Sequence, residues 1–283
     1  MRRQQLAAVI SILLAAVLAV GSAGPAQAAR KNPSANATTY PTSIASLGDS
    51  ITRGFNANGW YSDWPARSWS TGTDTTVNSH YLRLRKYNSR ITAYNDARTG
   101  AKMTALAGQA SSAVSQKAQY VTILLGANDA CTETEGQMTS VASFSAQFKA
   151  GMDTLAAQAS PPKVLVASIP DIYRLYDVGR TSASARSAWS AYGICQSMLA
   201  NPQSTDQADV DRRARVRQRV VDYNTQLANV CATYTFCKYD GGAVFGYPFT
   251  LSQLSQWDYF HPNSAGQTVL ATQTWKAGFW PTS

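Results

Sequence analysis

Histidine is scarce in this sequence: the 283 residues contain only His80 and His261. The four cysteines form no C-x-x-C pair, so the ligand spacing of a structural zinc site is missing. The sequence also lacks a G-x-S-x-G elbow, which argues against a conventional α/β-hydrolase. It has no internal repeat and no nucleotide- or nucleic-acid-binding motif. We therefore expect a protein that uses no metal or other cofactor and binds no nucleic acid.

Only one long apolar run occurs, and it lies at the N terminus. "LAAVISILLAAVLAV" (6–20) follows two arginines and precedes the small-residue sequence "AQA". The run is shorter than the roughly 20 residues that span a bilayer. This pattern predicts a signal peptide over residues 1–28, cleaved between Ala28 and Ala29, and hence a secreted protein. An uncleaved membrane anchor is the alternative. A lipid anchor is disfavoured because no cysteine lies near the cleavage site.

The rest of the chain divides where its composition changes. Residues 29–42 are polar and rich in proline, serine and asparagine, which is typical of a flexible leader. Residues 43–283 are long enough for one sizeable domain with its own core. They contain no second long apolar segment, so we expect a soluble protein. Nothing in them indicates more than a monomer.

The four cysteines indicate disulfides, because an exported chain with an even number of cysteines usually pairs them. Three pairings are open to Cys131, Cys195, Cys231 and Cys237. A Cys231–Cys237 bond would close a short local loop and leave Cys131 with Cys195. This is the pairing that we predict.

The chain is basic, with a net charge of +9 that falls to +7 once Arg2 and Arg3 leave with the signal peptide. Five arginines cluster in one stretch: Arg212, Arg213, Arg215, Arg217 and Arg219. Apolar residues there step by four and three: Val216, Val220, Tyr223, Leu227 and Val230. The spacing predicts a helix with one buried stripe and a charged outer face. That face is interpreted as a solvated surface or as a transient contact with an anionic lipid surface.

Five apolar runs predict strands: 43–47, 91–95, 120–126, 163–169 and, less clearly defined, 233–239. Helical patterns separate them, and these are clearest over 141–158, around Met103 and Leu106, and after Ser264. Alternating strands and helices favour an α/β fold with a parallel sheet covered on both faces. In such folds ligands bind beyond the carboxyl ends of the strands.

The stretch "ASLGDSITRG" (45–54) places Ser50 just after the first predicted strand. A serine hydroxyl is a weak nucleophile until a base takes its proton. Asp258 and His261, three residues apart, face the same side in a tight turn. The aspartate would then orient the imidazole, which would take the Ser50 proton. His80 has no acidic residue nearby and is interpreted as a structural or surface residue.

Attack on an ester creates an oxyanion that needs preplaced hydrogen-bond donors. Gly100 and Asn128 follow the second and third predicted strands, at the same sheet edge as Ser50. A backbone N–H at Gly100 and the amide of Asn128 would supply two donors, and the Ser50 N–H a third. Taken alone, Gly100 is also compatible with an ordinary turn and Asn128 with a helix cap.

Together these residues resemble the four sequence blocks of the SGNH, or GDSL, hydrolases: Gly48-Asp49-Ser50-Ile51, Gly100, Gly126-Ala127-Asn128-Asp129 and Asp258-x-x-His261. The blocks occur in the family's order and spacing over nearly the whole mature chain. The resemblance implies a flavodoxin-like three-layer α/β/α sandwich with a central parallel sheet of about five strands. It also implies a domain over 43–283 that hydrolyses carboxylic esters through an acyl-enzyme.

The resemblance assigns Ser50 as nucleophile, His261 as general base and then acid, and Asp258 as the group that orients the histidine. Some members of the family use a backbone carbonyl in place of the acid, so both arrangements stay open for this chain. The oxyanion hole would consist of Ser50, Gly100 and Asn128. Asp129 would support its loop, and Ile51 replaces the leucine of the short family signature.

Four stretches also resemble the phospholipase B-like branch of the family: "SWSTGTD", "NSHYLRLRKYN", "GANDAC" and "DYFHPN". The leading hypothesis is therefore an exported esterase of lipids or phospholipids. Since the family also includes acetyl-polysaccharide esterases, a carbohydrate O-deacetylase is the alternative, and a catalytically inactive binding protein is a third.

An aromatic group follows the nucleophile: Trp60, Tyr61, Trp64 and Trp69. These rings are interpreted as core, as the lining of an acyl pocket, or as a platform for sugar rings. Asp171 and its neighbouring tyrosines follow another predicted strand and would either shape the mouth of the site or cap a loop.

Overall fold

The central sheet is five-stranded and entirely parallel, in the order β2-β1-β3-β4-β5. We analysed a computed structural model that describes residues 40–280. Its strands are β1 Ser43–Gly48, β2 Thr92–Asn95, β3 Tyr120–Leu124, β4 Lys163–Val166 and β5 Cys237–Tyr239. The predicted signal peptide, residues 1–28, and most of the predicted leader, 29–42, lie outside the described residues.

Ten α-helices connect or follow these strands within residues 40–280. They are α1 Ser50–Arg53, α2 His80–Arg85, α3 Leu106–Ser115, α4 Ala127–Ala130, α5 Val141–Ala156, α6 Ile172–Gly179, α7 Ala183–Ala191, α8 Gln196–Leu199, α9 Gln207–Cys231 and α10 Ser264–Ala277. None of the helices in this part of the chain is long and apolar enough to cross a membrane.

The sheet buries both of its faces, because successive strand residues point to opposite sides. Ala45 and Leu47 of β1 lie in the larger core, which α3, α5 and α9 cover. Ile44 belongs to a second core on the opposite face, with Leu84 of α2 and Trp275 of α10. The predicted α/β fold with a three-layer sandwich and a parallel sheet of about five strands is confirmed.

The predicted strands 163–169 and 233–239 are longer than the observed ones. Strand β4 ends at Val166, although Ala167 N–H still donates to Ile123 O of β3 at 2.8 Å. At the other run, α9 extends to Cys231 and a turn follows, in which Cys237 N–H donates to Tyr234 O at 3.0 Å. Only the last three residues of that run therefore pair with β4.

The helix predicted around the five arginines is α9, and its stripe from Val216 to Leu227 is buried. The predicted charged outer face does not include Arg213, which is buried and donates to Ser204 O at 2.8 Å. The other arginines also have partners on the protein. Arg212 pairs with Asp209, Arg215 with Glu135 and Arg217 with Asp171, while Arg219 donates to Thr139 O.

Two disulfides join the elements near the carboxyl edge. Cys131, directly after α4, is bonded to Cys195 directly before α8, and Cys231 at the end of α9 is bonded to Cys237 in β5. The pairing in the structure is thus the one that the sequence analysis favoured. The first bond ties the helix that carries Asn128 to a segment 64 residues further along the chain.

Candidate active site

The nucleophile candidate lies at the point where the strand order reverses, between β1 and β3, where open parallel sheets bind ligands. Ser50 is the first residue of α1 and is 5% exposed. Asp49 caps this helix, since its Oδ1 accepts the Ile51 N–H at 2.9 Å. Gly48 is required before it, because a Cβ there would lie 2.5 Å from the Leu124 carbonyl oxygen.

Ser50, His261 and Asp258 form one hydrogen-bonded chain. His261 Nε2 lies 2.8 Å from Ser50 Oγ, and His261 Nδ1 lies 2.7 Å from Asp258 Oδ2. The tautomer with its hydrogen on Nδ1 satisfies both contacts: Nδ1–H donates to the carboxylate and Nε2 accepts from the serine. A base held in this way is oriented to take the serine proton.

The carboxylate of Asp258 is buried but fully engaged. Its Oδ1 accepts the backbone N–H groups of Phe260 and His261 at 2.9 and 3.0 Å. Its Oδ2 accepts from His261 and also from Asn56 Nδ2 at 2.6 Å. Burial acts to raise the pKa of Asp258, but the hydrogen bonds and charge of its neighbours outweigh it, and its pKa lies below the ordinary value.

Asn56 was not identified from the sequence. It lies in the loop after α1 with a positive φ of 55°, and it is buried. The only sequence signal was an asparagine in a short glycine-flanked segment, which is typical of a turn. Its contact with Asp258, 202 residues away, depends on the tertiary fold.

The turn between Asp258 and His261 is held from several sides. Tyr259 adopts a φ of 50°, a left-handed conformation that costs a bulky residue of the order of 1–3 kcal/mol. Ser255 N–H donates to His261 O at 2.8 Å, and the Trp189 indole N–H donates to Tyr259 O at 3.1 Å. These bonds fix the separation of the acid and the imidazole.

The two further oxyanion candidates lie side by side at the same edge. Asn128, in α4, donates from Nδ2 to the Ala101 carbonyl at 2.9 Å, directly after Gly100. An amide NH₂ has two hydrogens, so one remains for a ligand. Gly100 has a φ of 79° and is exposed. Within residues 40–280, the N–H groups of Ser50 and Gly100 enter no hydrogen bond.

Asp129 supports the loops around Asn128, the role that the resemblance implied. Its Oδ2 accepts the Met103 N–H at 2.9 Å, and its Oδ1 accepts the Thr139 hydroxyl at 2.7 Å. Burial is the main cause that raises the pKa of Asp129. The side chain thus links the segments before α3 and α5 to the helix that carries Asn128.

An apolar pocket opens beside the nucleophile. Ile51 and Ala127 lie at the end near Ser50 and Asn128, and Phe260 and Pro262 flank His261. The rest of the wall is formed by α6 and nearby loops: Pro170, Asp171, Ile172, Leu175, Val178, Phe249 and Leu254. A pocket with this lining suits an apolar ligand group.

None of the four aromatic residues after the nucleophile lines this pocket. Trp69 is fully buried in the core, and Trp64 is half-buried, whereas Trp60 and Tyr61 are exposed. The cavity instead uses Ile172, whose helix was not identified from the sequence. Asp171 does line the cavity, and it caps that helix by accepting the Tyr173 N–H at 3.0 Å.

His80 lies far from this chain of groups. It is fully buried, with Nδ1 2.9 Å from Tyr120 Oη and Nε2 2.8 Å from Thr274 Oγ1. Burial lowers the pKa of His80 to about 3, which identifies it as a neutral structural histidine. Within residues 40–280, no cluster of three or more histidine, cysteine or acidic side chains is arranged to hold a metal ion.

A parallel α/β/α sandwich with a Ser–His–Asp chain at its switch point defines a class, the serine hydrolases. The comparison with family models then assigns the family. Residues 46–269 match the GDSL-like Lipase/Acylhydrolase family, and the chain belongs to it. The resemblance to the SGNH/GDSL hydrolases is thereby confirmed, and the protein is a carboxylic ester hydrolase. The narrower resemblance to the phospholipase B-like branch stays a prediction.

Solved structures support the fold at low sequence identity. An alpha/beta hydrolase enzyme, LAE5, from the metagenome of Lake Arreo is 18% identical, with a TM-score of 0.52 over 83% of this chain and 94% of its own. The extracellular lipase of Streptomyces rimosus is 18% identical, with a TM-score of 0.51 over 84% and 100%. A catalytic mutant of an acetylxylan esterase from Geobacillus stearothermophilus is 14% identical, with a TM-score of 0.50 over 82% and 91%. No curated protein matches the chain.

Proposed function

We propose that this protein is an exported serine esterase whose substrates are esters of extended acyl chains, lipids and phospholipids among them. The observation that carries this proposal is the apolar cavity, which begins at Ile51 beside the Ser50 nucleophile. Its lining is apolar from Ile51 to the inward side chains of α6, so an alkyl chain gains free energy from each methylene that it buries there. Export rests on the predicted signal peptide over residues 1–28.

In the proposed reaction, Ser50 Oγ attacks the ester carbonyl carbon while His261 Nε2 takes the hydroxyl proton. The carbonyl oxygen becomes an oxyanion, which accepts from the N–H groups of Ser50 and Gly100 and from the Asn128 amide. Collapse breaks the bond to the alcohol, and His261 returns the proton to the leaving oxygen. Water, deprotonated by His261, then hydrolyses the acyl-enzyme and frees Ser50.

The test is hydrolysis of p-nitrophenyl esters of increasing acyl length and of phosphatidylcholine, by wild type, Ser50→Ala and His261→Ala. We expect activity that extends to long chains in wild type and is lost in both variants, with folding unchanged. Activity confined to acetate would favour the carbohydrate O-deacetylase, to be tested next on acetylated polysaccharide. A folded protein without activity on any ester would favour the inactive binding protein. Activity that survives in His261→Ala would contradict the mechanism.

A further inference from the structure

Four exposed aromatic side chains gather in one place, which we call the aromatic patch: Trp60, Tyr61, Tyr192 and Trp257. Their exposed fractions are 46%, 70%, 52% and 42%. Only two other large hydrophobic side chains within residues 40–280 are exposed to this degree, Tyr87 and Val210. Soluble proteins rarely leave such groups together in water, and a cluster of them marks a surface for another partner.

Trp60 lies at the centre of the patch. Its ring centroid is 5.8 Å from Tyr61, 5.3 Å from Tyr192 and 5.5 Å from Trp257. These residues come from three separate segments, the loop after α1, the end of α7 and the turn before Asp258. The fold therefore assembles the patch from distant parts of the sequence.

The patch adjoins the catalytic candidates. Phe55 packs edge-on against Tyr61 at 5.6 Å and against the His261 ring at 4.9 Å. Trp257 immediately precedes Asp258 in the chain. A surface that contacts the patch is consequently held next to the proposed nucleophile and its acyl cavity.

The absence of charged residues around the patch indicates which kind of surface it can bind. The segments that carry the rings, 54–62, 187–194 and 251–257, contain no charged residue, although the whole chain carries +9. The arginines of the basic cluster on α9 are engaged with protein groups. An uncharged aromatic surface suits the headgroup region of a lipid layer, where the rings of Trp and Tyr are half apolar and half hydrated.

The ring geometry argues against a sugar platform, the interpretation of Trp60 and Tyr61 that the sequence left open. A sugar ring stacks on a flat and open aromatic face. In the patch, neighbouring rings are inclined at 48°, 56° and 57° to Trp60 and pack against one another. The four rings therefore do not form one continuous flat face.

We propose that the aromatic patch is the surface by which this enzyme docks on an uncharged, zwitterionic phospholipid layer. The rings enter the headgroup region and bring an ester to Ser50; this last point rests on the proposed function. Binding then depends on apolar burial and not on anionic lipid, so it should persist at high salt.

The test uses Ser50→Ala protein, which separates binding from hydrolysis, and co-sedimentation with phosphatidylcholine vesicles. We expect binding that persists at about 0.5 M salt and falls roughly tenfold or more in Trp60→Ser with Trp257→Ser. Tyr87→Ser is the matched control and should bind as well as its parent. Tyr87 is similarly exposed at 49% but precedes β2, at the opposite edge of the sheet.

A second measurement needs no change to the patch: tryptophan fluorescence of the Ser50→Ala protein should be quenched by vesicles of brominated phosphatidylcholine. Absent quenching, equal binding by the double variant, or binding only to anionic vesicles at low salt would each overturn the proposal. Binding to acetylated xylan but not to vesicles, lost in the double variant, would also overturn it. Hydrolysis of a soluble ester by wild type without vesicles tests the proposed function separately.

Discussion

Asn56 donates a 2.6 Å hydrogen bond to the same oxygen of Asp258 that accepts the His261 imidazole N–H. The carboxylate is thus held by the loop after α1 as well as by its own turn. Because Ser50 begins that helix, Asn56 links the nucleophile segment to the segment that carries the base. This buried contact therefore joins the segments that carry all three proposed catalytic side chains.

Replacing Asn56 by alanine should therefore lower kcat about tenfold and leave KM nearly unchanged, because a hydrogen bond to a charged group is lost. The carboxylate then carries more unshared charge, so the acid limb of the pH profile should move to higher pH. Steady-state kinetics across pH measures both effects. Asn58→Ala, an exposed neighbour in the same loop, is the control. A change in KM alone would contradict a positioning role.

The acid itself gives the second prediction. Asp258 is the hydrogen-bond partner of His261 Nδ1, and among residues 40–280 no backbone carbonyl accepts from that nitrogen. Asp258→Asn should therefore lower kcat by roughly 10³-fold or more, since the asparagine favours the wrong tautomer. Steady-state kinetics measures this loss, and the kcat of Ser50→Ala, measured in parallel, gives the value for a protein without its nucleophile. A loss of only a few-fold would mean that a backbone carbonyl can take over the role.

Asp49 gives a prediction for stability against pH. Burial is the main cause that raises its pKa from 3.8 to about 7, and its Oδ2 has no partner among the described residues. Because the pKa is raised in the folded state, the contribution of this carboxyl to the free energy of unfolding is fully present below about pH 4. That contribution is lost as the pH rises toward 7. The shift corresponds to an upper limit of the order of 4 kcal/mol.

Asp49→Asn keeps an oxygen for the Ile51 N–H but cannot ionise, so the free energy of unfolding should fall less between pH 4 and 8 than in wild type. Urea unfolding at several pH values measures this slope, independently of any uniform loss of stability. Asp211→Asn, at an exposed position in α9, is the matched control. Parallel wild-type and Asp49→Asn curves would show that Asp49 stays ionised in the folded protein.

The two disulfides should differ in what they contribute. Cys131–Cys195 spans 64 residues and Cys231–Cys237 spans 6, so the loop-closure model gives upper limits of roughly 4 and 2 kcal/mol. Replacing each pair by serines and measuring urea unfolding tests the order. Loss of the first pair should also lower kcat, because Cys131 directly follows the helix of Asn128. An equal or larger effect of the second pair would contradict this ranking.

The sequence was sufficient to predict those site residues whose position follows from a local pattern and from the edge at which the strands end. Ser50, Gly100 and Asn128 each follow a strand, and the carboxyl ends of parallel strands share an edge, so their proximity needed no tertiary detail. Asn56 could not be found in this way. Its partner is 202 residues distant, and an asparagine in a short loop is usually a turn residue.

The sequence analysis also missed the wall of the pocket. Helix α6 contributes Ile172, Leu175 and Val178 to that wall, at steps of three residues. The polar residues between them obscured this pattern in the sequence.

A substitution at Leu175 tests whether the wall formed by α6 determines the preferred length of the acyl chain. Leu175→Phe adds volume within the cavity, so hydrolysis of a long-chain ester should fall about tenfold relative to butyrate, since pocket discrimination is worth about 1–3 kcal/mol. The quantity to measure is the ratio of kcat/KM for the two p-nitrophenyl esters. Leu82→Phe, a half-buried leucine of α2 on the opposite side of the sheet, makes the same chemical change outside the cavity and should leave the ratio unaltered. If Leu175→Phe also leaves the ratio unaltered, the acyl chain does not enter this cavity, and the preference for extended chains has to arise elsewhere on the enzyme.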